Sequence, residues 1–164
     1  MGVSWFKKGE YLMDKEELKE IQDFIKENSE EVKEAVIKKL IEYIEYVQKF
    51  QFAHRKIVEE YVEAGLIPAY TAGYISLDKQ FCTLGINGLN EAAEFLGETV
   101  GNNDGYKNLV SSILSIFKEK NKEGRKKYHI KYNTELIPAE SLGVKNAGWD
   151  KKDNLYTGDR ECYN

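Results

Sequence analysis

Two stretches of this 164-residue chain gather polar side chains where a strand would run into a helix. They are Phe81-Cys-Thr-Leu-Gly-Ile-Asn-Gly-Leu-Asn-Glu-Ala-Ala-Glu-Phe-Leu-Gly97 and Asn133-Thr-Glu-Leu-Ile-Pro-Ala-Glu-Ser-Leu-Gly-Val-Lys145. A strand, a tight polar turn and a helix start aim backbone N–H groups at one spot, which suits an anionic ligand. In the first stretch the turn is Asn87-Gly88, followed by the orphan amides of a helix start. A plain strand-to-helix turn capped by Asn90 or Glu91 accounts for the same residues. In the second stretch Pro138 occupies an N1-type position, with Glu140 and Ser141 in the first turn. There an ordinary helix cap is the alternative.

The other chemically capable residues are sparse. Cys82 lies on a candidate strand and reads as a buried, inert thiol; Cys162 reads as incidental. Two distant cysteines cannot make a four-ligand zinc site alone. They also make a poor disulfide framework, so a reducing cytoplasm is the expected compartment. His54, on a helix, and His129, on a strand, have no Glu or Cys at metal-ligand spacing and read as surface or packed residues. Trp5 and Trp149 read as packing anchors. No dinucleotide-binding, P-loop, serine-elbow or zinc-protease pattern occurs.

Those stretches need a scaffold, and the chain is long enough to bury a real core. Hydrophobic residues make up 41% and charged residues 32%, the balance of a soluble globular domain. The net charge of −4 comes from interleaved acids and bases, so no broad basic face for nucleic acid is expected. The basic run from Lys118 to Lys127 reads as a solvated loop. No apolar run nears the roughly 20 residues of a membrane span, and Met1-Gly-Val-Ser-Trp-Phe-Lys-Lys8 has neither the apolar region nor the cleavage site of a secretory signal.

Two parts are expected. Residues 1–67 read as a helical segment of two helices. Asp14 with Glu17 forms a capping-box pattern opening a short helix that ends near Asn28, and Asn28 with Glu31 opens a long one. Val32, Val36, Leu40, Tyr43, Ile44, Val47, Phe50, Ile57 and Tyr61 form its apolar stripe. Gly65 and Pro68 end it. About 35 residues make a helix of roughly 50 Å, long enough to call for a kink or a packing partner outside the chain. Residues 68–164 change texture. Gly73 to Leu77 reads as a strand or short extended segment, Gln80 to Ile86 as a strand and Leu89 to Leu96 as a helix stopped by Gly97. A loop Gly101–Gly105 leads to a helix Tyr106–Lys122 with Leu109, Ile113, Ile116 and Phe117 inward. Lys126 to Thr134 alternates as a strand. Strand, helix, helix, strand predicts two parallel strands joined by a crossover.

From roughly Lys15 onward the chain, and these two stretches most closely, resembles the catalytic subunit of anaerobic (class III) ribonucleoside-triphosphate reductases. The resemblance implies an α/β fold, a slice of a ten-stranded α/β barrel of the glycyl-radical and ribonucleotide reductase type. It places the Asn87-Gly88 turn at the active-site cavity. It also makes Asn133, Thr134, Pro138, Ala139, Glu140 and Ser141 part of the substrate pocket floor, through backbone amides and hydroxyls. Glu135 and Glu140 would repel phosphate, so they are expected to cap or to bond a ribose hydroxyl. Relatives place the radical cysteine on an earlier finger loop, so Cys82 does not match it.

What the resemblance implies of the whole enzyme is reduction of ribonucleotides to deoxyribonucleotides. A glycyl radical and a cysteine thiyl act there, with formate or a thiol as reductant, zinc, and allosteric ATP or deoxynucleotides. A separate iron–sulfur, S-adenosylmethionine-dependent enzyme activates it. This sequence holds no Arg-x-Cys-Gly-Tyr motif, no pair of Cys-x-x-Cys motifs, no finger-loop sequence and no ATP cone. The expectation is therefore a cytoplasmic fragment of the reductase with no catalytic residue or cofactor of its own and no turnover alone. Its partners would be the ribonucleotide substrate, the rest of the reductase chain, the activating enzyme and, in one arrangement, further copies of itself. No nucleic acid or membrane is expected. The alternatives are a stand-alone nucleotide-phosphate binding module and a helical interaction protein without catalysis.

Overall fold

The computed structural model describes residues 15–137, 140–152 and 161–163. In order they form α1 (Lys15–Glu27), α2 (Ser29–Glu63), α3 (Pro68–Thr71), a single 3-10 turn (Leu77–Lys79), β1 (Phe81–Ile86), α4 (Leu89–Phe95), α5 (Asp104–Tyr128), β2 (Lys131–Leu136) and α6 (Glu140–Lys152). The described residues are mostly helical. β1 and β2 pair in parallel, from Phe81 opposite Lys131 to Ile86 opposite Leu136. A parallel pair needs a long crossover, and α4 and α5 supply it. The strand, helix, helix, strand order is thus the expected one.

One face of the sheet carries the core. Leu84 and Ile86 of β1 pack with Ile44 of α2, Ala93 of α4, Leu96, and Leu109, Ile113 and Phe117 of α5. α5 presents Leu109, Ile113, Phe117, Asn121 and Gly124 at steps of four, four, four and three, one helical stripe. Its start is set by Asn103, whose Oδ1 accepts from the Tyr106 amide at 2.9 Å. Its end is His129, in the left-handed region at φ 57°. The helix therefore runs to Tyr128, past the expected stop at Lys122, and β2 begins at Lys131 instead of Lys126. The basic run is the end of a helix, not a loop: Arg125, Lys126 and Lys127 sit in its last turn, where cations suit the helix dipole. His129 caps that helix and is not on a strand.

α2 departs from its expected packing. Its buried residues are Ile44, Gln48 and Arg55. Val36, Tyr43, Val47, Phe50, Ile57 and Tyr61 are exposed, Phe50 by 76%. Of the apolar stripe read from the sequence, only Ile44 is buried and Val32 and Leu40 pack against the core, so the stripe is the packed face only in part. The reason is a polar seam: Gln48 Nε2 donates to Lys120 O at 3.0 Å and to Asn121 Oδ1 at 3.4 Å. Asn121 Nδ2 donates to Thr134 Oγ1 at 2.8 Å. Tyr132, fully buried, donates from its hydroxyl to Gln48 O at 3.0 Å. Buried polar groups are tolerated because each is bonded. Gly124 lets the helices close on this seam, since a Cβ there would lie 2.9 Å from Gln48 side-chain atoms.

Other boundaries differ locally. Asn28 makes no side-chain cap; its Nδ2 donates back to Phe24 O at 2.9 Å. The Asp14 capping box and Trp5 lie outside the described residues. Trp149 is half exposed and anchors no core. Gly73 to Leu77 is not a strand, because α3 ends there in a glycine cap. Gly73 has φ 78°, its amide bonds Tyr70 O at 3.0 Å, and Tyr74 N bonds Ala69 O at 3.1 Å. Gly65 ends α2 the same way, as expected, with Leu66 N bonded to Tyr61 O at 2.9 Å.

Tyr132 generates a test. Burial, its largest perturbation, pushes its phenol above the ordinary value, and the charges of Cys82 and Tyr128 add to the shift. The folded state then holds a proton that the unfolded chain loses above about pH 10. Stability from this group is full below that pH and is lost as pH rises. Urea unfolding should show Tyr132→Phe less stable by about 1 kcal/mol at pH 7, with a shallower alkaline decline than the parent. Equal stability and equal alkaline slopes would refute the seam's role.

Candidate functional site

Even-numbered residues Leu84, Ile86 and Tyr132 turn to the helices and are buried. Successive side chains alternate across a strand, so Phe81, Thr83 and Gly85 with Lys131, Asn133 and Glu135 share the opposite face. None of these six is buried. A polar chain crosses this open face. Thr83 Oγ1 lies 2.7 Å from Asn133 Oδ1, and Asn133 Nδ2 donates to Glu135 Oε1 at 2.7 Å. At the far end Ile137 N bonds Ile86 O at 3.2 Å, extending the ladder by one residue. The Ile137 side chain then lies over Gly85, where a Cβ would be 2.7 Å from Ile137 Cδ1.

Beyond β1 the chain turns at Asn87-Gly88. Gly88 is the N-cap of α4 at φ 79° and makes no side-chain cap. Asn90 does not cap this helix, since its Oδ1 accepts from the Tyr106 hydroxyl at 2.6 Å, and Glu91 in the first turn is buried. Asn87 Nδ2 donates to Tyr163 O at 3.4 Å, while its Oδ1 is shut off from solvent with no hydrogen-bond partner. Tyr163 comes from residues 161–163, which lie against α6. Its amide bonds Gly143 O at 3.2 Å and its hydroxyl donates to Asp150 Oδ2 at 2.8 Å. Gly143 makes room for this, because a Cβ there would stand 2.5 Å from Tyr163 O.

The expected site residues separate accordingly. Asn133 lies on the open face, Asn87 and Gly88 at the C-terminal end of β1, and Ser141 is exposed in the first turn of α6. Thr134 lies on the helix side, its hydroxyl held by Asn121, so it does not reach the open face. Pro138, Ala139 and the Glu140 side chain lie outside the described residues. Thr83 and Gln51 escaped the sequence reading. Only the strand register brings Thr83 opposite Asn133, and only the packing of α2 brings Gln51 Nε2 to Thr83 O at 2.8 Å.

Cys82 is half-buried on the helix side of β1, and burial raises its thiol pKa against the opposing charge of Arg55. Cys162 is exposed. Both histidines are exposed. Among the described residues no group of three or more His, Cys, Asp or Glu could hold a metal, and no helix is long and apolar enough to cross a membrane.

The sequence profile for anaerobic ribonucleoside-triphosphate reductase matches residues 23–164. The chain belongs to this family. Its structure is similar to the anaerobic ribonucleotide reductase of Thermotoga maritima with citrate in the active site. The TM-score is 0.73 at 25% identity, over 87% of this chain and 27% of that one. The same enzyme in complex with dATP and CTP gives 0.73 at 25% identity, over 87% and 25%. Another anaerobic ribonucleotide reductase shares the fold at TM-score 0.72 and 24% identity, over 89% and 23%. The chain thus spans about a quarter of the length of these reductases. No curated protein sequence matches it.

Two outcomes follow from the geometry. Gly143→Ala should displace residues 161–163 and speed alkylation of Cys162 relative to the parent, read by mass spectrometry; an unchanged rate would contradict the packing. In the parent, Cys82 should alkylate at least about tenfold more slowly than Cys162, because burial disfavours the thiolate. Equal rates would contradict its placement.

Proposed function

We propose that this chain supplies part of the ten-stranded α/β barrel and of the substrate pocket of an anaerobic ribonucleoside-triphosphate reductase, an enzyme that makes deoxyribonucleotides. The observation that carries this reading is the open, polar face of the parallel β1–β2 pair, in a chain whose family match runs through both strands. Ligands of α/β folds bind outside the C-terminal ends of parallel strands, and Asn87, Gly88 and Ile137 lie at that end. The open face is where the barrel interior would be.

In this reading the phosphates of the ribonucleotide lie over residues 133–141. Backbone amides at the start of α6 and the Ser141 hydroxyl are their donors. Asn87 and Gly88 border the ribose end. The chain's own contribution is binding and orientation. The radical chemistry, the reductant, the allosteric nucleotides and the activating iron–sulfur enzyme belong to the rest of the reductase polypeptide and its partners, in the cytoplasm. The described residues offer no fit for zinc.

Calorimetry of the purified chain against ribonucleoside di- and triphosphates tests this. Saturable binding is expected, weakened at least about fivefold by Ser141→Glu, which sets a carboxylate beside phosphate. If no nucleotide bound, or the variant bound equally well, the phosphate-loop reading would fall.

A further inference from the structure

α2 carries a second face, which the described residues leave largely uncovered. Val36, Tyr43, Phe50 and Ile57 are exposed and recur every seven residues. Leu40, Val47, His54 and Tyr61 follow each of them by four, and all but the half-buried Leu40 are exposed. From residue 36 to residue 61 the steps therefore alternate four and three, a repeat of about 3.5 residues. On an uncoiled helix such a stripe drifts by about 20° per heptad, which a rigid core surface does not follow. Another helix does follow it, by supercoiling on the stripe and taking its side chains as knobs. The stripe runs for about 38 Å along α2, and an apolar strip left open on that scale marks an interaction site.

The stripe is complementary to itself when reversed. Two copies of α2 set antiparallel, about an axis between Val47 and Phe50, layer Val47 with Phe50 of the opposite copy. The next layers outward are Tyr43 with His54, Leu40 with Ile57 and Val36 with Tyr61. The one polar layer sets a phenol beside an imidazole, two groups that can hydrogen-bond. On the flank Lys39 comes opposite Glu60, both exposed, and two-fold symmetry makes that pair twice. The Lys39 ammonium bonds Glu42 within α2 at 2.8 Å, and an ammonium has further donors to offer. A parallel pair would instead stack His54 on His54 and hold Lys39 about 31 Å from Glu60.

We infer that the 36–61 face of α2 is the interface for a second copy of this chain, the two helices running antiparallel as a two-stranded coiled coil. The seam that binds α2 to α5 through Gln48 lies about 100° round the helix from this stripe, so the pairing leaves it free. The contact does not depend on nucleotide binding.

Sedimentation equilibrium of the full chain over a wide concentration range is the test. The parent should form a reversible, closed dimer. Phe50→Gln removes the apolar knob beside the two-fold axis and keeps a good helix former; Phe50 is 76% exposed, so the fold should survive, as circular dichroism can confirm. It should weaken the dimer at least about tenfold. Lys39→Glu should weaken it about threefold or more, and adding Glu60→Lys should restore it. A parent that stays monomeric at every concentration would overturn the inference. So would a dimer indifferent to Phe50→Gln, whose interface lies elsewhere. A double variant as weak as Lys39→Glu alone would refute the antiparallel pairing, and open-ended association would refute a two-fold contact, which closes on itself.

Discussion

Every other contact in this fold depends on how β2 is held against two helices, and Tyr132 does the holding. It is the one large side chain among the described residues that is wholly buried. Its hydroxyl reaches the backbone of α2 at Gln48, and its carbonyl accepts from Arg125 of α5 at 2.7 and 3.2 Å. One residue of β2 is thereby tied to both helices. Asn121 bonds Thr134 two residues on, and Gln48 bonds Asn121, which closes the circuit. A greasy interface would let α2 slide by a turn. A hydrogen-bonded seam does not, because each displaced donor or acceptor would stay buried without a partner, at about 1–3 kcal/mol apiece. The strand register, and with it the open face, inherits that definition.

A two-stranded parallel sheet has two outer edges, which are ordinarily a liability. Ile86 O bonds Ile137 N inside the ladder. By alternation, the carbonyls of Thr83 and Tyr132 therefore point outward, one on each edge. Both are occupied by side chains, Thr83 O by Gln51 and Tyr132 O by Arg125. The helices thus cover one face and also blunt both edges at mid-strand. Phe81, half exposed, has the Arg125 guanidinium and the Lys131 ammonium each 5.9 Å from its ring. Cations stacked on an exposed ring keep the lower end of the open face from being a bare apolar patch.

Much of this was readable from sequence where local chemistry decides. Gly65 and Gly97 stop helices, Asn87-Gly88 makes a turn, and Leu109, Ile113 and Phe117 repeat on one face. The parallel pairing followed from the order of elements. Reading failed where tertiary partners overrode local pattern. The apolar residues of α2 looked like its packed face, yet Gln48 and Arg55 are buried because α5 and Glu59 satisfy them. Lys126 and Lys127 alternate as a strand would, but α5 holds them because its inward stripe continues through Asn121 and Gly124. Asn103 lies in the loop as expected, and its side chain caps the longest helix of the crossover, which begins at Asp104. Family resemblance treats the Asn133 segment as one unit and does not tell which of its side chains faces which way.

That last point decides what the site can do. Strand parity separates Asn133 from Thr134 completely: one belongs to the open face and the other to the helix seam. Asn133, bonded once at each end of its amide, links Thr83 to Glu135 across that face. The register adds Thr83, which no reading of the second stretch alone contains. A polar residue beside a turn is an ambiguous signal in sequence. Its partners place it: on the side of the sheet that the helices leave uncovered, a hydrogen-bonded chain runs from Thr83 through Asn133 to the Glu135 carboxylate.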